Sequence, residues 1–305
     1  MDSILNIVYK IFLSLICLSI GLEAREITLS AKVLYKNPTN ESIDKILHRV
    51  TIPMDTSYQK LLKIEVEGIK KYKIKKHKHG KGKYIEFAFA LPKKSMLNKQ
   101  VNFVVQISPK VFSLQNSISF NNYNLNGQYL NPSKRIESDS NEVLQIIDKI
   151  KKIKTTYMRL QTILEYPSKI LKYTVQPTTS ALIALKTKRG DCTEYSFLFV
   201  ALARAIGIPS RQATVFHFSK NNTFNLPNHH IAEIFTDKYG WIPMYPNLYQ
   251  GKNKNNFSLG KVSDNILMYK NSGWTWSNKF PKNMKIDFKE IETKTTWKIK
   301  YKVEK

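Results

Sequence analysis

The reactive groups of this 305-residue chain concentrate in two stretches. The first, "KRGDCTEYSFLFVALARAIGIPSR" (188–211), holds Cys192. The second, "NHHIAEIFTDKYGWIPMYPN" (228–247), holds His229, His230, Tyr245 and Asn247. A thiol that does acyl chemistry needs an imidazole to take and return protons, and a third group to orient that imidazole. The chain's other cysteine, Cys17, sits in an apolar leader. With the leader removed, Cys192 is unpaired, so in an exported protein it is a free reactive thiol or an intermolecular partner.

Local signals place the thiol. Apolar or small residues at Tyr195, Leu198, Phe199, Leu202, Ala203 and Ile206 follow the i, i+3, i+4, i+7 series of one buried helix face. Gly207 and Pro209 stop the helix. At its start Asp191 suits the N-cap, Glu194 three residues on completes a capping box, and Gly190 permits a sharp entry. Cys192 therefore falls in the first turn, where free N–H groups and the helix dipole favour thiolate and predict a lowered pKa. The same N–H groups could donate to an oxyanion forming beside the sulfur. A buried structural cysteine is the alternative that position alone leaves open.

The second stretch reads as a β-hairpin, with "HIAEIF" and "WIPMY" as strands and "TDKYG" as the turn. His229, Ile231, Glu233 and Phe235 share one face of the first strand; Trp241, Pro243 and Tyr245 share one face of the second. His229 and His230 point to opposite faces, so only one of them is expected to meet the thiol.

These two stretches resemble the transglutaminase-like family, a branch of the papain-like cysteine hydrolases and transferases. "GDCTEYSFLFVALARAIGIPSR" is similar to the nucleophile helix of that family, and "HHIAEIF…YGWIPMYPN" to its His-x-Trp-x-Glu and Gly-Trp-x-Pro-x-Asp-Pro strands. Matching the Ala-Glu pair assigns the family histidine to His229. The resemblance implies an α+β fold: a papain-like transglutaminase core, its cysteine helix packed on an antiparallel sheet, preceded by a β-sandwich domain. It also implies a Cys-His-Asp triad, and here the chain departs from the family. Tyr245 stands at the Asp position, and Ile231 replaces the usual Trp. A tyrosine hydroxyl can orient an imidazole but is neutral near pH 7. Asn247, on the same strand face about 7 Å further along, is a second candidate for the orienting role.

The elements that must hold this site divide into two expected domains after a leader at 1–24. From Arg25, "ITLSAKVLY", "YIEFAFA" and "VNFVVQI" alternate with period two between turn clusters, which argues for a β-sandwich over 25–125. The part of it around "IPMDTSYQKLLKIEVEG" resembles the β-rich domain that often precedes transglutaminase-like domains. An Asn- and Ser-rich connection follows at 110–137. The transglutaminase-like domain is expected over 126–305. It opens with a capped helix striped by Val143, Ile146, Ile147 and Ile150, then a helix interrupted at Pro167 and a short one at 180–188.

Composition limits the partners. A formal charge of +26, from 49 basic and 23 acidic residues, is densest in "KKYKIKKHKHGKGKY" (70–84) and could hold an anionic envelope surface. No nucleic-acid motif accompanies it. His77 and His79 lack a nearby carboxylate or cysteine to complete a metal set, and neither a metal nor an organic cofactor is needed by cysteine chemistry. The apolar run Ile11–Leu22 after Lys10, followed by Ala24, reads as a secretory signal or retained anchor, with Cys17 a weak lipidation candidate because Ile16 precedes it. The expectation is an exported protein of the periplasm or envelope, or a secreted one. It would act on a peptide bond or a Gln side chain through a thioester, by acyl transfer, deamidation or proteolysis. The rival is a catalytically impaired binding or scaffolding protein on the same fold.

Overall fold

Alternation in β1 (Arg25–Asn37) turns Ile27, Leu29, Ala31, Val33 and Tyr35 to one face, and all five are buried. The computed structural model describes residues 24–77, 82–114, 127–218, 224–248, 258–262, 266–270 and 275–301. The apolar leader with Cys17, as well as His79 and much of the expected 110–137 connection, lie outside them.

Five more strands continue from β1: β2 (Ile43–Thr51), β3 (Gln59–Glu67), β4 (Tyr72–Lys76), β5 (Lys83–Leu91) and β6 (Ser95–Ile107). A second unit follows. A short strand β7 (Lys110–Val111) leads toward the helices α1 (Asn141–Lys151) and α2 (Thr156–Ile170). Strands β8 (Lys172–Tyr173) and β9 (Arg189–Gly190) pair in parallel on either side of α3 (Ala181–Thr187), and α4 (Cys192–Ala205) comes next. Strands β10 (Ser210–Phe218), β11 (Phe224–Thr236) and β12 (Gly240–Met244) form an antiparallel meander. Strand β13 (Lys261–Val262) pairs with β7, and β14 (Ile266–Lys270) completes a sheet of order β12-β11-β10-β14.

The last two strands, β15 (Trp276–Lys279) and β16 (Glu292–Tyr301), correct the expected domain division. They return to the N-terminal unit, giving two facing sheets of order β16-β1-β6-β3 and β15-β2-β5-β4. Strand β16 pairs with β1 from Ile27↔Tyr301 to Lys36↔Glu292. The reason is physical: without it the fully apolar inner face of β1 would end in an open edge. Ile27, Leu29, Val101 and Phe103 of one sheet and Val50, Ile85 and Phe87 of the other share a core, to which Ile299 of β16 belongs.

Helix α4 also exceeds its expected single stripe. Every residue from Thr193 to Arg204 is buried, because the helix runs between the sheet on one side and α1, α2 and α3 on the others. Helix α2 continues through Pro167 rather than breaking there; the proline is buried and the helix ends three residues later, where the Leu171 N–H donates to the Pro167 carbonyl at 2.9 Å. The two units share cores as well. Tyr58 and Phe112, flanking the sandwich strands, lie in the helical core, while Phe216 of β10 packs in the sandwich core against Trp297. Among the described residues no helix is long and apolar enough to cross a membrane.

Candidate active site

The entry into α4 is fixed by its own side chains. The Asp191 carboxylate accepts the Thr193 N–H at 2.8 Å, and the Glu194 carboxylate accepts the Asp191 N–H at 3.0 Å, completing the capping box. Glu194 is fully buried and also accepts the Thr179 N–H at 2.7 Å. A side chain at Gly190 would put its Cβ 2.5 Å from the Glu194 Cβ, so only glycine lets the chain pass this close. These contacts set Cys192 at the first helical position, partly exposed.

The Cys192 sulfur accepts the His230 backbone N–H, which belongs to the peptide joining His229 to His230, and it also bonds the Thr193 side chain. Burial nevertheless pushes the thiol above its ordinary value. Asp191 and Glu194 add to the rise, while the His230 N–H and Thr193 act against it. This corrects the expected lowered pKa. The two carboxylates that cap the helix put negative charge where the dipole would stabilise a thiolate. The backbone N–H of Cys192 donates to the Tyr173 hydroxyl, so that donor is engaged in this conformation.

His229 is fully buried. Its Nε2 lies 3.2 Å from the Asn247 side-chain oxygen and 3.1 Å from the nitrogen of the same amide. Its Nδ1 is buried with no hydrogen-bond partner among the described residues. Burial pushes the ring pKa down to about 3; His217, with ring centroids 5.7 Å apart, lowers it too, and Asn247 opposes them. The imidazole is therefore neutral at pH 7. With the Nε2 proton donated to the Asn247 oxygen, the Nδ1 lone pair is left as a proton acceptor. His230 sits on the other face of β11, with its Nδ1 3.4 Å from the Thr214 hydroxyl.

Asn247, rather than Tyr245, holds the histidine. The β11–β12 register pairs Thr236 with Gly240 and Ala232 with Met244, and continuing it sets residue 247 opposite residue 229. The turn beyond β12 is held by the Ser168 hydroxyl donating to the Pro246 carbonyl, and by the Leu248 N–H donating to the Tyr245 carbonyl at 3.1 Å. Tyr245 is buried where its charge would interact with that of Tyr58, at the junction with the sandwich. Ile231, at the family's Trp position, is fully buried in the helical core. Beneath the hairpin, Arg211 bonds Glu233 at 2.6 Å and lies 3.8 Å over the Trp241 ring.

Sequence reasoning missed Tyr173 and His217. Nothing in the spacing pointed to either, since Tyr173 reaches the site through the parallel pairing of β8 with β9 and His217 through the irregular register of β10 on β11. Among the described residues no group of three or more His, Cys, Asp or Glu could hold a metal.

A cysteine helix laid on an antiparallel sheet, with the histidine strand running past the sulfur, is the papain-like architecture. Residues 144–246 match the family model of the Transglutaminase-like superfamily. A candidate cysteine protease from Cytophaga hutchinsonii shares the fold: 15% identity, covering 92% of this chain and 91% of that one, at a TM-score of 0.63. The likeness therefore includes the sandwich as well as the core. The periplasmic domain of TgpA from Pseudomonas aeruginosa, bound to ethylmercury, is more distant, with 13% identity over 75% of this chain and 93% of that one and a TM-score of 0.37. No curated protein sequence matches the chain.

Proposed function

We propose that this chain is an exported cysteine enzyme that acts on carboxamide or peptide bonds through a thioester. The observation that carries the reading is the buried His229 ring, bonded to Asn247 at one nitrogen and unpartnered at the other, whose following peptide N–H bonds the Cys192 sulfur. The Cys192 sulfur attacks the carbonyl carbon as its proton passes to His229 Nδ1. The tetrahedral oxyanion collapses, the C–N bond breaks, and the leaving nitrogen takes that proton. Water or an amine then attacks the thioester, giving up a proton to His229, and the proton returns to the departing sulfur. An amine acceptor gives cross-linking; water gives deamidation or proteolysis. The substrate is accordingly a protein or peptide offering a Gln side chain or a main-chain amide. Export rests on the apolar run Ile11–Leu22 behind Lys10.

A second reading has an observation of its own. Burial raises the thiol and lowers the imidazole, so both are neutral at pH 7 and no ion pair is stored between them. A binding protein that keeps the fold without turnover would look the same at rest. Glutamine-containing peptides, incubated with and without a labelled amine and followed by mass spectrometry, separate the two. Product from wild type and none from Cys192→Ser supports the enzyme; no product from folded wild type supports the binding protein. Iodoacetamide labelling of Cys192 adds a pH test. With a raised thiol, labelling is expected to climb only above the ordinary thiol range near pH ~8.5. A plateau below pH 7 would mean a preformed thiolate and contradict the neutral pair.

A further inference from the structure

The open end of the sandwich carries a second site. β3 and β4 are the terminal strands of their respective sheets, and only residues 68–71 join them, so the two free edges stand side by side. On the inner face of this lip Leu61, Ile64 and Val66 are only half-buried. Opposite them, Tyr72 and Ile74 pair with the buried Phe87 and Ile85, yet remain 42% and 51% exposed. Core-facing positions on β4 thus lack a cover.

The backbone is open as well. The His77 N–H donates to the Gly82 carbonyl, and by the alternation of an antiparallel ladder Lys73 and Lys75 also turn their N–H groups to β5. Tyr72, Ile74 and Lys76 therefore aim theirs away from the sheet. Around the lip, Lys75 is paired with Glu86 and Lys63 with Glu65, but Lys70, Lys71, Lys73 and Lys76 have no carboxylate partner among the described residues.

We infer that the β4 edge and its apolar lip bind an extended segment of a partner protein in which apolar and acidic residues alternate, added as a strand beside β4. The alternation follows from β4 itself. Inward positions of the added strand would cover Tyr72 and Ile74, and outward ones would meet Lys73 and the neighbouring lysines. A second copy of this chain does not fit, because lysines on both edges would oppose each other in a molecule of formal charge +26. A bilayer does not fit either, because hydrocarbon cannot satisfy the outward N–H and C=O groups of a strand edge. The lysines thus discourage self-pairing and select an acidic strand.

The test uses the full chain and a fluorescent peptide of about nine residues alternating Val and Glu, enough to span the edge. Controls are the same peptide N-methylated on the face that would meet β4, a Val/Lys version, and phosphatidylglycerol vesicles. The parent peptide should bind about tenfold or more tightly than the N-methylated one, as loss of ladder hydrogen bonds predicts. It should also slow hydrogen exchange at Tyr72, Ile74 and Lys76. Lys71→Glu with Lys73→Glu, both on exposed outward positions, should weaken binding about tenfold or more. Equal binding of parent and N-methylated peptides would overturn the proposal, since that is charge adhesion alone. So would exchange protection elsewhere, or vesicle binding with no peptide binding.

Discussion

His48 in the sandwich and His229 beside the cysteine are near-twins by every local measure. Both are fully buried, both rings are pushed down to about 3 chiefly by burial, and each has one nitrogen bonded and the other buried without a partner. His48 Nδ1 bonds the Tyr35 hydroxyl at 2.7 Å, leaving Nε2 orphaned; His229 Nε2 bonds Asn247, leaving Nδ1 orphaned. What differs is the company. His48 is enclosed by aromatic rings, stacked on Trp276 with centroids 5.6 Å apart and beside Phe87 at 5.3 Å. His229 lies within β11, and the peptide N–H that follows it bonds the Cys192 sulfur. An orphaned nitrogen is thus a core imperfection in one place and a candidate base in the other, and the Cys192 sulfur on the adjoining peptide N–H makes the distinction.

The sharpest way to break that contrast is to delete each ring. His229→Ala should lower turnover by about 10²–10⁴-fold, the range for losing a positioned general base. His48→Phe, which keeps an aromatic ring among aromatic rings, should leave turnover unchanged. Steady-state rates on whichever substrate the mass-spectrometric screen identifies decide it, and equal effects would erase the distinction.

Asn247 gives the next largest effect. Removing one partner of a buried hydrogen bond costs about 1–3 kcal/mol, so Asn247→Ala should slow turnover roughly 5- to 150-fold if that cost falls on the transition state. Tyr245→Phe should fall well short of this, because the ring it would need to hold is already held by Asn247. A larger loss in Tyr245→Phe would return the orienting role to the position where the family carries Asp.

How much of this was legible follows the distance over which each signal acts. The capping box of Asp191 and Glu194, the close passage at Gly190 and the α4 core are written in adjacent residues, and they fix Cys192. The hairpin was legible too. Its turn, counted outward from Thr236 and Gly240, would have given Asn247 directly, whereas alignment to the family pointed to Tyr245. The closure of the sandwich by β16 was not legible, because β1 and β16 pair across most of the chain's length and neither strand names its partner. Nor was the raised thiol. A helix start alone predicts the opposite, and burial of the sulfur, with the Asp191 and Glu194 carboxylates adding to it, reverses the direction.

Acid should treat the twins alike. Each ring has a folded pKa near 3 against about 6.5 when unfolded, so the unfolded chain binds the extra protons. The stability each contributes is therefore complete above pH ~6.5 and lost progressively as the pH falls from there toward 3. At pH ~4.5 the loss is on the order of 2–3 kcal/mol per ring. His48→Phe and His229→Phe should each flatten the fall in melting temperature between pH 7 and 4.5 by a similar amount. A flattening from one ring alone would mean that the other is reached by water.

The smallest effect separates the partners of the two rings. Tyr35→Phe removes the hydroxyl on His48 and leaves both ring nitrogens of His48 buried without that bond. The cost is about 1–3 kcal/mol of stability, read from denaturant unfolding, with turnover intact. Because Tyr35 lies in β1, at the centre of the sheet that β16 closes, this loss should appear in the unfolding of the sandwich, leaving Cys192 labelling at its wild-type rate. Altered labelling in Tyr35→Phe would show the two histidine environments to be coupled through the shared cores around Tyr58 and Phe216. The orphaned nitrogen of His48 would then bear on the site after all.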